Sequence, residues 1–65
     1  MENVTIFTPK QARDYAGLTM DQVSEYLGIS RFTLSKLESN PKKFTIEQAE
    51  KLSEVTKVPY NSIVF

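Results

Sequence analysis

Apolar residues recur along this chain at intervals of three and four, and each run starts behind a hydroxyl residue. Between Thr19 and Glu38 the spacing predicts two short amphipathic helices hinged at Gly28. The first, Met20 to Leu27, turns Val23 and Leu27 to one side, with small Ser24 beside them where a second helix can come close. The second begins at Ser30 and turns Leu34 and Leu37 inward, while Ile29 plugs the corner. Gly28 supplies the left-handed backbone that a turn of three or four residues between crossed helices needs.

The same grammar recurs on either side. Thr8-Pro9-Lys10-Gln11 reads as a helix start, with Thr8 as N-cap, Pro9 at the first helical position and Gln11 reaching back to the cap. That helix is expected to run to about Ala16, with Ala12, Tyr15 and Ala16 as its inward stripe and Gly17 ending it. Thr19 with Gln22 and Thr45 with Gln48 repeat the capping box. Leu18 with Val23, Ile29 with Leu34 and Phe44 with Ala49 form the matching hydrophobic staples. Asn40, able to turn left-handed, and Pro41 break the chain after the second helix of the hinged pair. A helix from about Ile46 to Thr56 follows, with Ala49, Leu52 and Val55 inward and Glu47, Glu50, Lys51 and Glu54 in water. Val58-Pro59-Tyr60 opens a last turn or short helix, in which Tyr60, Ile63 and Val64 close the bundle. Residues 3–7, NVTIF, alternate; they are expected to form a covering arm, with a short strand paired to the C-terminal SIVF as the alternative. The expected fold is all-α, a compact bundle of five short helices over residues 8–65 behind an arm or short strand at residues 1–7.

Composition narrows the chemistry. Sixty-five residues make one small domain of marginal stability, with little room for an enzyme cleft. The chain has no cysteine and no histidine, which removes thiolate nucleophiles, zinc sites and the usual general base. Neither an enzyme, a metal nor a cofactor is expected. No apolar run approaches a membrane span, and Met1-Glu2-Asn3 lacks the features of a signal peptide, so a cytoplasmic protein is expected. The formal net charge is zero but unevenly spread: residues 28–43 carry Arg31, Lys36, Lys42 and Lys43 against Glu38 alone.

A basic strip on a neutral body changes the meaning of the hinged pair. Its pattern is that of a helix-turn-helix, with Arg31, Phe32, Ser35 and Lys36 on the outer face of the second helix, where a major groove can receive them. Arg31 has the planar fork that bonds guanine O6 and N7 together. Phe32 suits a thymine methyl or a pocket in a dimer or protein partner. Lys36 faces a base edge or a phosphate, and Lys42 and Lys43 suit phosphate clamps. One such helix covers few base pairs, so a homodimer joined through Tyr60 to Phe65 or the N-terminal segment is expected. Two other readings fit the same residues: an ordinary helical hairpin with a solvated face, and a protein-binding module, such as a phage anti-repressor or an antitoxin-like partner, that uses Phe32 and the acidic face of the helix from Ile46.

Over residues 12–64 the order of elements resembles the lambdoid phage repressor and Cro family, the Xre-type helix-turn-helix domains. The residues that carry the likeness are Gly17-Leu18-Thr19, Val23, Leu27-Gly28-Ile29-Ser30, Leu34, Leu37-Glu38, Asn40, Val58 and Ile63. The resemblance implies a regulator that reads a double-stranded DNA operator as a dimer, with Arg31, Phe32, Thr33, Ser35 and Lys36 at the base-reading positions. It also implies an ion pair between Arg13 and Glu38. The family usually has glutamine at the first residue of its second helix, where it touches phosphate, and this chain has Met20. Backbone N–H groups at that helix start attract phosphate without a side chain, so Thr19, Met20 and Ser30 join Lys42 and Lys43 as expected phosphate contacts.

Overall fold

The computed structural model describes residues 6–65, so residues 3–5 of the alternating N-terminal segment lie outside the described residues. The chain forms α1 (Pro9–Tyr15), α2 (Met20–Leu27), α3 (Arg31–Ser39) and α4 (Ile46–Thr56), with 3-10 turns at Pro41–Lys43 and Tyr60–Ser62. The described residues therefore hold four α-helices, where five were expected. The last segment closes a single 3-10 turn because Pro59 precedes it, no side chain caps it, and three residues cannot sustain a helical nucleus.

Each helix start is closed by its own side chains. Thr8 with Gln11, Thr19 with Gln22 and Thr45 with Gln48 all form reciprocal capping boxes. Ser30 caps α3 by accepting from the Thr33 N–H at 3.0 Å. A Ser or Thr cap is worth about 1 kcal/mol against alanine, so the caps offset part of the cost of starting helices this short. Gly17 and Gly28 take φ of 73° and 75°, the left-handed conformation that lets α1 and α2 stop sharply.

The core joins all four helices and the C-terminal segment. Ala12, Val23, Leu27, Leu34, Leu52, Val58 and Ile63 are buried together, and Leu18, Ile29, Phe44 and Phe65 pack on them. Beyond the helices Phe7 meets Ile63 in an isolated parallel bridge: the Phe7 N–H donates to Ser62 O and the Val64 N–H to Phe7 O, both at 2.8 Å. No longer strand forms among the described residues.

Three local expectations fail for identifiable reasons. Tyr15 is 74% exposed instead of sitting inward. The buried line of α1 runs through Pro9, Ala12 and Arg13, leaving Tyr15 to one side, against the Phe7 ring at 5.0 Å. Asn40 adopts φ −140° and ψ 78°, because Pro41 pushes its predecessor toward extended backbone. Tyr60 and Val64 stay exposed; Phe65 turns back instead, its ring 5.1 Å from Phe44 and 5.7 Å from Tyr60.

One left-handed residue lacks the glycine that normally fills such a position. Lys57 ends α4 at φ 61°. A Cβ in that region costs roughly 1–2 kcal/mol, and glycine returns part of the gain as unfolded-state entropy. Lys57→Gly is therefore expected to stabilise the protein by about 0.5–1 kcal/mol, read as a higher midpoint in urea unfolding.

Candidate nucleic-acid interface

The outer face of α3 is set by what its inner face buries. Leu34 and Leu37 are buried, and Ile29 sits half-buried at the corner. At a helical period this leaves Arg31, Phe32, Ser35 and Lys36 exposed. Phe32, at 71% exposure, is unusually open for a large apolar side chain. Its ring lies 5.0 Å from Lys36 Nζ, a cation–π contact one helical turn along. Thr33 is half-buried, its hydroxyl accepting from the Ser30 hydroxyl at 3.0 Å, which puts it at the edge of the face.

Arg31 does not project freely. Its Nη1 lies 3.4 Å from Asp21 Oδ1 in the first turn of α2. Met20, Arg31, Phe32 and Ser35 line a shallow hollow of about 410 Å³ where the two helices meet. Met20 itself is half-buried and packs on the core, and it is the first residue of α2, beside the Thr19 cap. A larger open groove of about 570 Å³ lies between α3 and the following turn, and Lys36, Ser39, Asn40 and Lys43 are on its wall. Lys42 and Lys43 are exposed on the 3-10 turn, and neither is part of an ion pair among the described residues.

Behind this face Arg13 and Glu38 join α1 to the end of α3. Arg13 Nε donates to Glu38 Oε2 at 2.7 Å and Nη2 to Oε1 at 3.3 Å, a two-pronged arrangement. The remaining prong, Nη1, donates to the Leu18 carbonyl at 3.3 Å, reaching the turn before α2. The two side chains are only 10% and 7% exposed. The hydrogen bond to Glu38 raises the Arg13 pKa above its ordinary value, against burial, which lowers it, and with help from the Glu38 and Asp14 charges. A raised folded-state value means that the cation's contribution is complete below arginine's ordinary pKa and is lost only above it, so the pair's positive half is intact at every working pH.

The pair also determines the charge the interface shows. Glu38 is the one acid within residues 28–43, and its charge is matched internally by Arg13. Among the described residues Lys36, Lys42 and Lys43 then face water without a compensating carboxylate within 4 Å, and Arg31 is balanced only by exposed Asp21. The acids Glu47, Glu50 and Glu54 lie on α4, where Glu47 meets Lys51 at 3.7 Å and Glu54 accepts from the Tyr26 hydroxyl at 3.1 Å.

The pattern could have disclosed the Phe32–Lys36 contact, since residues four apart share a helix face. The Asp21–Arg31 contact crosses the turn between α2 and α3 and has no such signature.

Two short helices locked across a glycine turn, with a cationic outer face on the second, define the helix-turn-helix class. A family model described as Helix-turn-helix matches residues 10–63, and the chain belongs to this family, the Xre-type helix-turn-helix proteins, which are DNA-binding regulators. No curated protein and no solved structure gives a significant match. Among the described residues no helix is long and apolar enough to cross a membrane.

Removing one partner of the Arg13–Glu38 pair strands a buried charge. Glu38→Ala should therefore cost about 3–5 kcal/mol, most of the stability of a domain this small. Arg13→Met combined with Glu38→Leu should recover much of that loss. Urea unfolding followed by circular dichroism measures both; a loss below about 1 kcal/mol for Glu38→Ala would give the pair the energetics of an exposed one.

Proposed function

We propose that residues 8–65 are a sequence-specific double-stranded DNA-binding domain of the repressor and Cro kind, acting in the cytoplasm and reading the major groove with α3. The observation that carries this reading is the outer face of α3: Arg31, Phe32, Ser35 and Lys36 are exposed together while Leu34 and Leu37 are held in the core. Arg31 reads guanine, Phe32 meets a thymine methyl, and Thr33, Ser35 and Lys36 complete the base contacts. Lys42 and Lys43, with the helix starts at Thr19, Met20 and Ser30, hold the phosphate backbone and fix the register. The Arg13–Glu38 pair holds α3 at its angle to the groove. The active species is a homodimer on an operator of two half-sites; exposed Ile6, Tyr60 and Val64, close to the Phe7–Ile63 bridge, offer apolar surface for the dimer contact.

A second reading draws on one observation, the open Phe32 ring beside Lys36, which also suits a pocket on a protein partner. Phe32→Ala separates the two. On DNA it alters preference at one thymine position; in a protein-binding module it abolishes partner capture and leaves no duplex signal to alter.

Position and readout are expected to separate by mutation. Lys42→Ala with Lys43→Ala should weaken specific and random duplexes alike, reducing the salt slope by up to about 0.9 per lost phosphate contact while selectivity survives. Arg31→Ala should cost about 1–3 kcal/mol on the preferred site and much less on random DNA. Fluorescence anisotropy titrations at two salt concentrations measure both; equal losses on all duplexes for Arg31→Ala would make it a phosphate contact.

A further inference from the structure

Arg31 is the first residue of α3, and its guanidinium reaches back across the turn to α2, where Nη1 donates to Asp21 Oδ1 at 3.4 Å. Both side chains are well exposed, so in water alone the contact contributes little. Its geometry matters more. A guanidinium carries five N–H donors in one plane. With Nη1 on Asp21, Nε and Nη2 have no partner among the described residues, and that edge is a fork able to meet guanine O6 and N7. A docked duplex removes water from the pair and lowers the local dielectric, which strengthens the Asp21–Arg31 attraction where orientation counts.

The same carboxylate has an opposite effect on the backbone. Asp21 lies in the first turn of α2, beside the N–H groups at which a phosphate would sit. Its negative charge repels that phosphate whatever the base sequence. Holding Arg31 favours duplexes with guanine in reach, whereas repelling phosphate disfavours every duplex alike, so the first effect sets the gap between right and wrong sites and the second lowers the affinity common to both.

We infer that Asp21 is a specificity-determining positioning residue, which aims Arg31 at guanine and lowers affinity for DNA that lacks it. This rests on the reading of Arg31 as a guanine contact proposed above.

The test uses a duplex selected from a randomised pool and the same duplex with each guanine replaced in turn by adenine or 7-deazaguanine. Wild type, Asp21→Asn, Arg31→Ala and the double variant are titrated on this set and on random duplex, with melting followed by circular dichroism as the check on folding. Asp21→Asn should lower the preference for the guanine facing Arg31 by about two- to fivefold and raise affinity for random duplex by a similar factor. Asp21→Glu, which keeps the carboxylate, should restore part of the preference. In the Arg31→Ala background, Asp21→Asn should leave preference at that base unchanged and still raise random affinity. An unaltered guanine preference in Asp21→Asn overturns the positioning role, as does an equal loss of preference at all positions. Loss of affinity by Arg31→Ala on every duplex alike overturns the base reading itself, and the role of Asp21 with it.

Discussion

A buried ion pair is the constraint on which the geometry of this small protein depends. Arg13 and Glu38 have been taken almost wholly out of water, which is costly for two charges unless their hydrogen bonds are met. Here they are met: the guanidinium spends its donors on both Glu38 oxygens and the Leu18 carbonyl. No buried side-chain nitrogen or oxygen among the described residues lacks a partner. Three parts of the chain are thereby tied at one point: α1, the turn into α2 and the last residues of α3. An apolar contact at this place would tolerate a sliding helix, whereas a displaced carboxylate would leave an uncompensated charge in the core. The other end of α3 is held by its Ser30 cap and the Gly28 turn. A helix of nine residues fixed at both ends can present its outer face with little freedom.

The charge pattern follows from the same pair. With Glu38 occupied, the strip from Arg31 to Lys43 acts as a cationic surface on a chain of zero formal charge. The balancing acids lie elsewhere, with a net excess on α2 and on α4. Such a distribution concentrates positive potential on one face without the overall charge of a highly basic protein, and Asp21 is the acid nearest to it, at the start of α2.

The parts of this structure that were legible in the sequence are those encoded locally. The Thr–Gln boxes at residues 8, 19 and 45 specify helix starts through hydrogen bonds three residues long, and all form. Gly17 and Gly28 mark helix ends because only glycine enters the left-handed region at little cost. The alternation of Leu34 and Leu37 with Arg31, Phe32, Ser35 and Lys36 divides α3 into two faces, which is why its exposed residues were foreseen as a group. What failed depended on neighbours. Tyr15 looks like core until Arg13 takes the interior of α1 to meet a residue 25 positions away. The terminal helix shrinks to a turn, and Phe65 turns in where Tyr60 and Val64 were expected. Lys57 in the left-handed region has no local signature, since nothing in its type favours that conformation. The Asp21–Arg31 contact depends on the crossing of α2 and α3, which spacing along the chain does not specify.

The central claim, that the exposed face of α3 reads a sequence in the major groove, is tested most directly by selection of the intact protein on a randomised duplex pool at about 50 and 200 mM salt. The claim predicts enrichment of an inverted repeat whose half-sites contain guanine and lie about 10 base pairs apart centre to centre, with total affinity falling at the higher salt while the preferred sequence stays the same. Binding that falls with salt but enriches no sequence would leave only phosphate contacts, and retention of no duplex at either salt would contradict DNA as the target of this face.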